Sequence, residues 1–283
     1  MSYISFQPKD YFNTKLYSGT GAIQTVSGVG FEPSWIWTKS RTNAGNNKVT
    51  DQVRGLTKYV RTNGTNAEET HTDSITAVNN DGFVLGADST NDFNANGQNY
   101  VSWNWKANGQ GSSNTEGFNK FLYLNTTDTE TTNSGTFNDT APSSSVITLG
   151  SWNDVNNSSG TYICYAFAEK TGYSKFGLYE GNGNADGAFV YTGFKPAMVI
   201  YKRSDGIESW MIQDNRRPGY NPIGGNLFPN ATSTESTDAR FDFLSNGFKA
   251  RSGNQNTSGS THIYMAFAEE PLVSSNGIPA TAR

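Results

Sequence analysis

The chain has 283 residues, 21 Lys and Arg against 25 Asp and Glu, and a formal charge of −4; that length suits about two domains, and the charge, with no basic run, argues against a nucleic-acid partner. The single cysteine, Cys164, excludes an intrachain disulfide, and no apolar run approaches the roughly 18 residues of a transmembrane helix. Hydrophobic residues make up only 34%, but charged residues are 16% and aromatics 13%, so the polarity lies in Asn, Thr, Ser and Gly, which favours short strands with polar turns over disorder.

In chain order, residues 1–12 form a lead segment with no basic region followed by an apolar stretch, the pattern of a secretory signal. Residues 13–108 form a first unit, with strands predicted at 14–17, 34–39, 82–85 and 100–106. Residues 109–116, rich in Gly and Ser, read as a flexible linker. Residues 117–171 hold strands at 146–149 and 162–168. Residues 172–270 form a second unit, with strands at 197–202, 209–213, 247–250 and 263–268, and residues 271–283 form a patternless tail. Short apolar or alternating runs, punctuated by Gly, Asn, Asp and Pro, predict an all-β chain of tandem antiparallel sandwiches, jelly-roll or concanavalin-like in type.

The two full units are copies. Tyr17-x-Gly19-x-Gly21 recurs as Tyr179-x-Gly181-x-Gly183, and Gly30-Phe31-Glu32-Pro33 before Trp35–Lys39 recurs as Gly193-Phe194-Lys195-Pro196 before Met198–Lys202. Asp81-Gly82-Phe83 recurs as Asn246-Gly247-Phe248. Residues 120–170 carry only the second half of the pattern: Asn125-x-Thr127-x-x-Glu130, a Gly150 turn, and 162–169. Half a sandwich cannot cover its own core, so this segment is expected to pack on a neighbouring unit or another subunit.

Trp35 and Trp37 share one strand face, as do Trp103 and Trp105. Their counterparts are Met198 and Ile200, Tyr165 and Phe167, and Met265 and Phe267. Apolar character is kept and the indole is not, which favours core packing over a sugar platform. Cys164 sits between Ile163 and Tyr165, where Ser102 and Tyr264 stand in the other copies, and reads as an inert strand cysteine. Trp152 differs, lying in a polar loop with Asn153, Asp154 and Asn156. A loop Trp among amides suits contact with a sugar or protein, or equally a plug over one end of a sandwich.

Asp92-x-Asn94-x-Asn96-Gly97 matches the first half of a calcium loop, with alternating oxygen ligands and a glycine for the turn. Its twelfth position is Trp103, not Glu, and the copy Asn254-x-Asn256-x-Ser258-Gly259 has no carboxylate. A polar turn before the last strand accounts for both copies, and calcium is the minor alternative. Asn63-Thr65-Glu68, Asn125-Thr127-Glu130 and Asn230-Thr232-Glu235 share one spacing and read as structural turns. His71 and His262 occupy non-equivalent positions, the pairs Glu68-Glu69 and Glu269-Glu270 would point to opposite strand faces, and no phosphate loop or zinc spacing is present. Asp51-x-x-Arg54 and Asp214-x-Arg216-Arg217 read as ion pairs supporting a turn. No catalytic residue is expected.

The opening Phe6-x-Pro8-x-Asp10-Tyr11-Phe12-Asn13-Thr14-x-Leu16-Tyr17, the Gly-Phe-x-Pro motifs, 172–183, 243–249 and the closing 263–269 together resemble a repeat-containing family of virion and tail-associated proteins common in marine bacteriophages, cyanophages above all. The resemblance covers nearly the whole chain and brings no catalytic residues with it; relatives usually carry complete units, so the truncated middle unit departs from the pattern. It implies a non-enzymatic virion protein, assembled in the bacterial host cytoplasm, tail- or fibre-associated, serving host attachment and assembly. Implied partners are other virion proteins, further copies of the chain in a trimer, and a host-surface glycan or receptor, with no membrane insertion. Capsid decoration and a lectin-like or glycan-hydrolysing module are the alternatives.

Overall fold

The computed structural model describes residues 6–107, 118–251, 253–273 and 279–281. The linker expected at 109–116 lies outside them. The fold is nearly all β and antiparallel throughout.

The first unit contains β1 (Phe12–Ser18), β2 (Gln24–Ser27), β3 (Trp35–Ser40), β4 (Lys48–Asp51), β5 (Lys58–Arg61), β6 (Glu69–Thr70), β7 (Ile75–Asn79), β8 (Gly82–Leu85) and β9 (Asn99–Trp105). They form a six-stranded sheet in the order β1-β9-β3-β4-β5-β6 and a three-stranded sheet β2-β8-β7. After the two-residue strands β10 (Lys120–Phe121) and β11 (Thr131–Thr132) and the short helix α1 (Asn153–Asn156), the second unit repeats the plan. It contains β12 (Ser174–Glu180), β13 (Phe189–Tyr191), β14 (Phe194–Arg203), β15 (Met211–Asp214), β16 (Phe241–Leu244), β17 (Gly247–Ala250) and β18 (Thr261–Pro271). Its sheets run β12-β18-β14-β15 and β13-β17-β16.

The repeated glycine motif has one mechanical reason. A Cβ on Gly19 would lie 2.1 Å from the Ala95 carbonyl oxygen, and one on Gly181 would lie 2.2 Å from that of Thr257, so the chain passes where only glycine fits. The hydroxyl of Tyr17 donates to the Phe93 carbonyl at 2.9 Å, and that of Tyr179 to the Gln255 carbonyl at 2.8 Å, pinning the same approach in each unit.

The large sheets are buried on both faces, and this settles the tryptophan question. On β3 and β14, Ile36, Val199 and Tyr201 point into the sandwiches, while Trp37, Met198 and Ile200 point out into a core shared between the units. On β9 and β18, Val101, Trp103, Trp105 and Phe267 join that shared core. Alternate positions therefore stay apolar in every copy, and burial of this kind contributes about 25 cal/mol per Å².

The half unit occupies a third position beside the two full ones. The Trp103 indole donates to Asp214 Oδ2 at 3.0 Å, and Asp214 is itself held by Arg217 Nε at 2.6 Å. The counterpart Tyr165 of the half unit donates its hydroxyl to Asp51 Oδ2 at 2.7 Å and accepts from Arg54 Nη2 at 2.8 Å. The Asn-x-Thr-x-x-Glu turns make the complementary contacts. Glu235 N–H donates to the Arg41 carbonyl and Gly45 N–H to that of Thr232; likewise Glu130 N–H donates to the Ser204 carbonyl and Glu208 N–H to that of Thr127. The equivalent rings Trp105, Phe167 and Phe267 meet pairwise, with centroids 5.4, 5.7 and 6.1 Å apart. The chain thus builds a quasi-three-fold ring of two complete units and one half.

Three expectations need correction. No strand forms at 146–149 or 162–168, because the strands that would flank them are absent from the half unit. Cys164, expected on a strand, lies outside any strand and is exposed, for the same reason. The segment 209–213 pairs only from Met211, as β15.

Candidate functional site

The half unit presents an aromatic cluster that alternation builds. Leu122 and Leu124 pack on the shared core, so Phe121 and Tyr123 face the other way. Trp152, half-buried, lies against Phe121 with ring centroids 4.7 Å apart, and Tyr123 stands edge-on to it at 6.4 Å. The Tyr123 hydroxyl reaches Asp154 Oδ2 at 3.4 Å. Partial burial, and then the Asp154 carboxylate, push its phenol above the usual range.

Hydrogen bonds hold the base of this cluster. Trp210, buried in the shared core, donates its indole N–H to the Tyr123 carbonyl at 2.8 Å. Asn156 Nδ2 donates to the Gly150 carbonyl at 2.8 Å, and the Tyr162 hydroxyl donates to that of Asn153 at 2.6 Å. Of the four residues singled out in the loop, Trp152, Asn153 and Asp154 are presented outward, and Asn156 is spent on holding the loop. Among the described residues no protein group accepts the Trp152 indole N–H. Phe121 and Tyr123 were not picked out from sequence; the alternation Phe121-Leu122-Tyr123-Leu124 is the signal that could have found them.

The turn at Asp92, Asn94 and Asn96 is built from protein contacts. Asp92 Oδ1 pairs with Lys48 Nζ at 2.6 Å. Asn94 is fully buried, its Oδ1 accepting from Thr20 N–H at 2.9 Å and its Nδ2 donating to the Ala22 and Gly86 carbonyls. Asn96 is exposed. The copy behaves alike: Asn256 Oδ1 accepts from Asn182 N–H at 3.0 Å. The spacing that resembles a calcium loop thus has a structural use in both units, tying the Tyr-x-Gly-x-Gly loop to the last strand. No group of three or more His, Cys, Asp or Glu side chains gathers as a metal site among the described residues.

One arrangement invites a nucleophilic reading. Ser89 Oγ lies 3.4 Å from His71 Nε2, and His71 Nδ1 lies 3.6 Å from Asp88 Oδ1. Asp73 Oδ1, however, stands 2.9 Å from the same Nε2 and holds the position from which the ring would serve the serine. Asp88 Oδ2 accepts the backbone N–H groups of Phe93 and Asn94 at 2.6 and 2.7 Å. The group braces the turn before β9, in keeping with a structural histidine and not a relay.

A family model described as a domain of unknown function, DUF7483, matches residues 7–120 and again residues 118–271. The second match takes the half unit and the second full unit as one stretch. No curated protein and no solved structure matches the chain.

Proposed function

We propose a function from one premise: the chain belongs to the DUF7483 family, in two copies, and that description names no reaction. The protein is a non-enzymatic component of a bacteriophage particle, tail- or fibre-associated, that assembles with further copies of itself and other virion proteins and offers the Trp152 cluster to a glycan on the host surface. The motifs resembling marine phage virion proteins support the particle. The observation that carries the contact surface is Trp152, a half-buried ring tilted against Phe121 with an uncommitted N–H, flanked by Asn153 and Asp154. A sugar's C–H face packs on such a ring while amide and carboxylate groups meet its hydroxyls. One platform of this size gives weak binding, which many copies on one particle would multiply.

The test is a glycan array probed with the purified chain and Trp152→Ala, beside immunogold labelling of particles. Binding to a defined glycan set, weakened about tenfold or more by Trp152→Ala, with labelling at the tail, is the expected result. Undiminished binding by Trp152→Ala removes the platform from the reading, labelling spread over the head replaces attachment with capsid decoration, and absence from particles overturns the virion assignment.

A further inference from the structure

The half unit carries the sequence of a sandwich's last strand and neither of that strand's neighbours. In the full units the aligned strand is central: β9 lies between β1 and β3, and β18 between β12 and β14. The half-unit segment 161–167 makes no backbone–backbone hydrogen bond among the described residues. Its side chains show what is missing. Tyr162 is 47% exposed where its counterpart Tyr100 is 1%, and Ile163 is 38% exposed where Val101 is 0%. Leu149, which precedes Gly150 as Leu85 precedes Gly86, is 47% exposed against 0%. The two glycines confirm the alignment, since Gly86 N–H donates to the Ser74 carbonyl and Gly150 N–H to that of Thr136.

We propose that 161–168 is a strand-acceptor site that takes an extended, alternately apolar β-segment from a separate polypeptide, laid antiparallel as β3 lies along β9. The ring already fixes this surface in place, through Tyr165 on the first unit and the 123–130 segment on the second. Neither full unit can supply the strand without opening, because β1, β3, β12 and β14 are all paired. The linker 109–116, Gly-Gln-Gly-Ser-Ser-Asn-Thr-Glu, has no apolar side chain to offer. Addition of an extended segment draws affinity from main-chain hydrogen bonds and specificity from alternate side chains, and an uncovered strand of this kind is otherwise a pairing hazard. The site is independent of the glycan reading.

Cys164, the single cysteine and exposed, lies in the middle of the segment and accepts an environment-sensitive fluorophore in the full chain. The probe is a synthetic peptide of residues 33–42, the β3 sequence, with a scrambled peptide as control. Hydrogen exchange on the unlabelled chain reads the same event. Expected are a saturable fluorescence change with the β3 peptide alone, slower exchange confined to 161–168, and affinity reduced about tenfold or more by Ile163→Asp with an unchanged melting temperature, since Ile163 is exposed. No saturable change, an equal response to the scrambled peptide, or undiminished affinity in Ile163→Asp overturns the proposal. Concentration-dependent protection of 161–168 without peptide would also overturn it, and would give the surface to a second copy of the chain.

Discussion

Leu85 and Leu149 precede glycines that make the same turn, yet one is sealed in a sandwich and the other lies in solvent. Their local sequences promise the same strand; only the first forms one. The first unit supplies β2 and β7 on either side of β8, whereas the half unit supplies nothing equivalent. A strand is thus a property of the pairing and not of the segment, and the half unit shows what its sequence does when half of the pairing is withheld.

The sharpest way to break this comparison is at the junctions. Asp214→Ala takes from the buried Arg217 guanidinium its nearer carboxylate, at 2.6 Å, leaves it only Glu235 Oε2 at 3.3 Å, and should cost about 3 kcal/mol. Tyr165→Phe, at the matching junction of the half unit, removes one hydroxyl shared by Asp51 and Arg54 and should cost only about 1 kcal/mol. Denaturant unfolding of both variants measures the difference, and equal costs would mean that the half unit is bound as firmly as a full one.

The leucines come next. Leu85→Ala should lose about 2–5 kcal/mol through the cavity it leaves, while Leu149→Ala should stay within about 0.5 kcal/mol. A large loss at Leu149 would show that the half unit is covered in solution. Restoration of that loss only at high protein concentration would point to covering by a second copy.

The smallest effect is pH-dependent and belongs to the junction of the full units. Lys39, whose ammonium donates to the Gly45 carbonyl at 2.8 Å and the Thr232 carbonyl at 3.0 Å, is pushed down to about 8 by burial and then by neighbouring Lys48. Between that value and the ordinary 10.5, the unfolded chain holds the extra proton, so stability rises with pH across this window and is lost again as pH falls through about 8. Melting temperatures should rise by about 2–4 °C from pH about 7.5 to about 9.5 in the native chain and by less in Lys39→Met, where Lys48 and Lys202, also pushed down by burial, still titrate.

Much of this was legible beforehand. The Tyr-x-Gly-x-Gly and Asp/Asn-Gly-Phe motifs gave the units, because close approaches that only glycine permits leave a sharp trace. The Trp-to-Met and Trp-to-Tyr exchanges gave core packing, although the core turned out to lie between units and not only within them. Trp152 is visible as an unusual loop residue, but its partners Phe121 and Tyr123 lie some thirty residues away, and their four-residue alternation does not by itself say what they pack on. The calcium-like spacing shows the limit of motif reading: Asn94 serves a backbone turn whose acceptor and donor needs mimic those of ligation.

By itself, the sequence determined that the chain is β, that it repeats, where its turns fall and which alternate positions are apolar, because each of these follows from backbone sterics and period-two alternation within a few residues. Only the tertiary structure decided that Trp105, Phe167 and Phe267 meet at one axis, that Tyr165 binds Asp51, and that 162–168 stays unpaired. Those contacts join segments far apart in the chain, and the choice among possible partners is made by packing free energy over the whole molecule, which no local pattern encodes.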